Sequence, residues 1–210
     1  MISIRAHPVN SQDNVKGILS ITINDYFKAD SIRIMESEEG KMFLGMPAYK
    51  TDKRDAADKP VYKELFHPAN KEFIRELYAA ADKSLTSGEA VEIYRDIPHT
   101  VGVRAAPVKG KDTGVKANVT LFISREGESS PDLVIDTVKI RESSKGERQI
   151  FVAFPARKTA DGTYKSVCYP VTAEFREELL GRIFTAYHNE LDKAEETMKV
   201  SDGTTDDRIR

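Results

Sequence analysis

The sequence predicts an α+β protein made of two copies of one small unit, each an antiparallel β-sheet followed by a helix. Three observations carry this prediction. Short motifs return in the same order roughly 100 residues apart, the period at which a duplicated domain repeats. Each half opens with apolar and polar residues in alternation, the signature of half-buried strands. Each half closes with apolar residues at helical spacing.

The repeat is read directly from the residues. Ile4-Arg5-Ala6-His7-Pro8-Val9 returns as Val103-Arg104-Ala105-Ala106-Pro107-Val108. Ser31-Ile32-Arg33-Ile34-Met35-Glu36-Ser37 returns as Thr137-Val138-Lys139-Ile140-Arg141-Glu142-Ser143. Met46-Pro47-Ala48-Tyr49-Lys50-Thr51 matches Phe154-Pro155-Ala156-Arg157-Lys158-Thr159, and Phe66-His67-Pro68-Ala69 matches Cys168-Tyr169-Pro170-Val171. These matches divide the chain into a first unit over 1–85, a linker over 86–100, a second unit over 101–193 and a polar tail over 194–210. Thr86-Ser87-Gly88 breaks the helical pattern at the seam, and Pro98 precedes the next strand.

Within the first unit, residues 2–9 alternate as a strand does. Residues 16–23 hold Ile18, Leu19, Ile21 and Ile23, a second strand rich in β-branched side chains. Asn24-Asp25 supplies a tight turn into a third strand through Ile32 and Ile34, and Gly40 turns the chain into Met42–Met46. Between Pro47 and Pro68 lies a charged loop containing residues 53–60, where the second unit needs only Ala160-Asp161-Gly162-Thr163. Such a difference in length marks a surface segment. After Pro68 the period becomes helical: Phe73, Ile74, Leu77 and Tyr78 form one stripe, and Phe175, Leu179, Ile183 and Tyr187 form its counterpart. Asn70 and Thr172 stand where N-caps are needed. One helix covering one face of a four- or five-stranded sheet satisfies both stripes.

The bulk properties set limits. The chain has 210 residues, is 40% hydrophobic and 31% charged, and carries 32 Lys+Arg against 34 Asp+Glu, a formal net charge of −2. Nucleic-acid binding would therefore need a local basic patch on a near-neutral body, with marked salt dependence. No apolar run approaches the ~20 residues of a membrane span. The N-terminal residues read as a first strand rather than a signal peptide. The single Cys168 excludes an internal disulfide and fits a cytoplasmic location. Enzyme readings find little support. His7, His67, His99 and His188 are scattered, with no metal-ligand spacing, phosphate loop or nucleophile elbow, so no catalytic residue, metal or cofactor is expected. Cys168, among apolar and aromatic neighbours, reads as a buried small residue, and Glu174, Glu177 and Glu178 as the acidic start of a helix.

The same motifs resemble the stage V sporulation protein G (SpoVG) family. Its sequences run from an Arg-containing first strand through an Ile-Arg-Val-like strand to a Met-Pro-Ser-basic-basic-Thr turn. A glycine loop and a His-Pro or Tyr-Pro then lead into the final helix. Residues 154–165 follow that pattern almost throughout. The first copy keeps Met46-Pro47, Lys50-Thr51 and His67-Pro68 but has Tyr49 where the family is basic. The resemblance implies DNA or RNA binding linked to septation and sporulation control. It also implies single-domain relatives that dimerise through their sheets. A covalent tandem is then expected to form an intrachain pseudo-dimer and to stay a monomeric chain.

The candidate contacts that follow are Arg157, Lys158 and Lys165 in the second copy, and Tyr49, Lys50, Lys53 and Arg54 in the first. Arg33 and Lys139, at matching strand positions, would extend the patch. The plainer reading is solvated charge: Lys53, Lys59 and Lys63 have Asp52, Asp55, Asp58 and Glu64 close by in sequence. The competing functional expectation is a protein-interaction module that offers an edge strand or helix groove to a division or sporulation partner.

Overall fold

The computed structural model describes residues 1–10, 13–108, 114–143, 149–159 and 161–203, and over them the two halves pass through the same succession of elements. The first half contains β1 (Ile2–Pro8), β2 (Val15–Ile23), β3 (Phe27–Glu36), β4 (Met42–Gly45), β5 (Ala48–Arg54), β6 (Pro60–Glu64), β7 (His67–Pro68) and α1 (Lys71–Ser87). A strand in the seam, β8 (Val91–Ile93), follows. The second half repeats the order as β9 (His99–Pro107), β10 (Val115–Arg125), β11 (Leu133–Glu142), β12 (Ile150–Ala153), β13 (Ala156–Lys158), β14 (Tyr164–Ser166), β15 (Cys168–Pro170) and α2 (Ala173–Gly203).

Alternation explains the meanders. Ile2, Ile4 and Ala6 of β1 are buried while Arg5 and His7 face solvent. β1 lies antiparallel to β2 with Ile4 opposite Ile21, and β9 to β10 with Val103 opposite Leu121. Asn24 and Asp25 take φ of 45° and 61°, the left-handed values that a tight hairpin turn requires at both central positions. β4 and β12 add alongside β3 and β11.

The last short strand of each half leaves its own sheet. β7 pairs with β11 of the second half, Pro68 opposite Leu133 and His67 opposite Val134. Reciprocally, β15 pairs with β3 of the first half, Cys168 opposite Ala29 and Pro170 opposite Phe27. Among the described residues this gives one sheet of six strands and one of five; each includes one strand from the other half, and the first, which also holds β8, exceeds the four or five expected per unit. The hairpins β5–β6 and β13–β14 carry the chain across. Backbone bonds continue both junctions, Ala69 N–H to Asp132 O at 3.0 Å and Val171 N–H to Tyr26 O at 2.7 Å. Matched ion pairs span them: Lys63 to Asp136 at 2.8 Å and Lys165 to Asp30 at 3.8 Å. Half-exposed pairs of this kind contribute little. Burial holds the junctions far more firmly: Phe66, Val167 and Cys168 are fully buried within one hydrophobic core that spans both halves. Each large apolar side chain so buried is worth about 1.5–3 kcal/mol.

Both helices start as their caps dictate. Asn70 Oδ1 accepts from Glu72 N and Phe73 N, and Thr172 Oγ1 accepts from Phe175 N at 3.2 Å. α1 buries Phe73, Leu77, Ala80 and Ala81, and α2 buries Leu179, Ile183 and Tyr187. Two boundaries differ from the sequence reading. The seam is not a plain linker: α1 runs to Ser87, left-handed Gly88 (φ 74°) turns the chain, and β8 returns to pair with β1. α2 also passes Ala194, where a polar tail was expected, and continues to Gly203 because no glycine or proline interrupts it there; residues 204–210 of that tail lie outside the described residues. The enlarged segment at 53–60 is no irregular loop. It lengthens the β5–β6 hairpin, whose tip is held by Asp55 N–H to Lys59 O at 2.9 Å.

Candidate nucleic-acid interface

The strand exchange sets the first-half hairpin against the outer face of the second sheet. Tyr49 and Lys63 stand opposite each other across β5–β6, and both line a groove of about 460 Å³ whose floor holds Arg104, Asn118, Phe122 and Lys139. A second depression of about 300 Å³ continues from it, sharing Tyr49 and Lys139 and adding Arg141, Pro155 and Tyr164. The floor follows from strand register. Arg104 pairs with Thr120 and Asn118 with Lys139, so these residues form outward rows on β9, β10 and β11.

The chemistry of this surface alternates cation and ring. The Arg104 guanidinium lies 5.5 Å from the Phe122 centroid. Tyr49 is 42% exposed and Tyr164 74%, enough ring surface for a flat ligand to stack on. Lys63 is bound to Asp136, whereas Arg104, Lys139 and Arg141 have no carboxylate within 4 Å among the described residues.

Tyr49 from the first half and Lys139 from the second, both expected contacts, thus meet in one groove. Arg157 and Lys158, expected at the end of a strand in a turn, lie on strand β13 with Lys158 its last residue, and the turn proper is closed by Thr159 N–H to Thr163 O at 2.8 Å. Ala160 of that turn lies outside the described residues. Asp161 is taken up by the turn: its carboxylate accepts from Thr159 and Thr163, and the Thr159 bond holds its pKa below the usual range. Lys158 faces Tyr164, a residue of the second depression, across the hairpin. Arg157 faces Lys165, which is tied to Asp30. Arg33 sits on β3 opposite Gly45, at the position matching Lys139. Lys50, Lys53 and Arg54 lie along the exposed β5 arm away from the groove. Arg54 secures the hairpin tip through Asp58 O at 2.7 Å. Sequence reasoning missed Arg104, Phe122 and Tyr164. An arginine at the same place in both first strands was the available signal for Arg104; nothing local marked Phe122.

A second polar cluster is internal rather than a surface site. Arg125 Nε meets both Asp132 carboxylate oxygens at 3.2 and 3.0 Å, and its guanidinium stacks 4.0 Å from the Tyr94 ring centroid. His99 Nε2 lies 3.7 Å from Asp132 with its side chain fully buried. Burial, then the Met1 amine charge, lowers the His99 pKa to about 4, while burial lifts Tyr94 to about 12. The cluster fastens the seam to the second half. Cys168 is fully buried, and burial pushes its thiol pKa well up, which leaves it a packing residue. Among the described residues no group of three His, Cys, Asp or Glu side chains is placed to hold a metal, and no helix is long and apolar enough to cross a membrane.

Fold and surface together define a tandem α+β protein with a two-half groove. The SpoVG family model matches residues 1–84 and 98–189, one match per half, and the chain belongs to that family as a tandem duplication. It is 36% identical over 94 residues to a SpoVG chain of Heliobacterium modesticaldum, covering 45% of this chain and 92% of that protein. It is 32% identical over 99 residues to one from Myxococcus xanthus, covering 47% and 89%. Both relatives are named for septation, not for an enzymatic activity. No solved structure matches.

Proposed function

We propose that this chain is a SpoVG-type regulator that binds nucleic acid, and that its halves act as an intrachain pseudo-dimer. The reciprocal exchange of β7 and β15 supports the pseudo-dimer, since each half completes the other's sheet as a second subunit would. The observation that carries the binding reading is the groove itself. Arg104, Lys139 and Arg141 have no carboxylate within 4 Å among the described residues, the groove's Asp136 being paired with Lys63, and they stand beside Phe122, Tyr49 and Tyr164. Cations then track phosphates while rings stack on bases, which favours unpaired bases over a closed duplex. The local patch reconciles binding with a net charge of −2.

The test is fluorescence anisotropy with labelled single-stranded oligonucleotides at low salt. R104E/K139E lowers affinity at least tenfold, and R157E/K158E weakens it as well, with melting temperatures close to that of the unaltered chain. Each phosphate contact adds about 0.7 to the slope of log affinity against log salt. Unchanged affinity in both double variants, or no binding by the unaltered chain, removes the proposal.

A further inference from the structure

Besides the length of their hairpins, the two halves differ at the free edge of the first strand. In the first half, left-handed Gly88 ends α1 and the chain returns as β8, which pairs with β1: Ile93 opposite Ile2, Glu92 opposite Ser3 and Val91 opposite Ile4. Ser84 supports the arrangement, its Oγ accepting from Ala6 N at 2.9 Å and donating to Glu89 O. In the second half the matches of Ile2, Ile4 and Ala6 are Val101, Val103 and Ala105, read from the Arg5–Arg104 correspondence. The match of Ser84 is Ala186 and that of Gly88 is Glu190, read from Phe73–Phe175. With no glycine at that point α2 continues, and among the described residues no strand lies beside β9 on that side.

A groove of about 430 Å³ occupies that place, lined by Val101, Val103, Arg182, Thr185, Ala186 and Asn189. Arg182 Nη1 donates to Val101 O at 3.1 Å, so the Val101 carbonyl points away from β10. Because successive residues of a strand alternate, the amide and carbonyl of Val103 point the same way. Unpaired edge groups of this kind invite a further strand, and a charged side chain laid over them is a common guard. Arg182 is such a guard, anchored by Glu178 at 2.8 Å.

We propose that the β9 edge accepts an extended segment of a partner protein, with β-branched residues at alternate positions around an acidic one. The first half supplies this chemistry to itself as Val91-Glu92-Ile93. An acidic residue in the Glu92 position would face Gly102, with Arg104 two residues along on the same face of β9. The apolar pair would face Val101 and Val103. The addition joins main chain to main chain, as in other strand-augmented complexes, and does not depend on whether nucleic acid binds the groove.

The test uses a labelled peptide of residues 89–95 as probe for the whole chain, read by anisotropy and by backbone amide shifts. Saturable binding is expected, with shifts at Val101–Ala105 and Arg182–Asn189. R182A, which removes the guard, tightens it several-fold. V103P removes an outward N–H without costing the β10 ladder, and weakens binding at least tenfold. If V103P does not fold, the same loss is expected when the unaltered chain meets a peptide N-methylated at Val91 and Ile93. Absence of saturable binding, equal binding of the N-methylated peptide, or shifts at Ile2–Ala6 from displacement of β8 would each overturn the proposal.

Discussion

Phe66 offers the sharpest test of the interlock. It is fully buried, it immediately precedes β7, and it belongs to the core that spans both halves. Phe66→Ala removes a phenyl ring from a site whose neighbours are fixed by strand pairing, so the cavity cannot close easily. Buried Phe-to-Ala changes cost about 3–5 kcal/mol. For a chain of this size each kcal/mol lowers the melting temperature by about 2–4 °C, which predicts a fall of about 6–20 °C. Because β7 completes the second half's sheet, the whole molecule should melt earlier in one transition, its calorimetric and van't Hoff enthalpies in agreement. The assay is differential scanning calorimetry of the unaltered chain and the variant. Two resolved transitions, with one unmoved by the substitution, would refute the reasoning, because they would mean that the halves fold independently.

Two further outcomes follow from the seam. His99 has a folded pKa of about 4 against the usual 6.5, set by burial and by the charges of Met1 and Arg125, with Asp132 facing it at 3.7 Å. Between those values the unfolded chain binds the proton more tightly. Stability is therefore fully present above about pH 6.5 and falls as pH drops toward 4, by up to about 3 kcal/mol. Urea melts at several pH values should show this slope, and H99Q should flatten it. Gly88→Ala meets nothing within 4 Å but must hold φ at 74°, so it should cost about 1–2 kcal/mol in the same melts. Equal stability of G88A would contradict the role given to the left-handed turn.

What the sequence determined by itself is local or repeated. The duplication, the strand alternation, the Asn24-Asp25 turn and the caps at Asn70 and Thr172 depend on neighbours a few residues away, or on comparing the halves side by side. The placement of β7 and β15 depends on partners across the chain. A strand of two or three residues carries no period by which its partner could be recognised, so only the folded molecule shows which sheet each one joins. The candidate surface divides in the same way. Tyr49 and Lys139 are legible singly, as a ring and a cation at repeat positions. That they share a groove with Arg104 and Phe122 is decided by strand exchange, which brings a hairpin of one half over the sheet of the other.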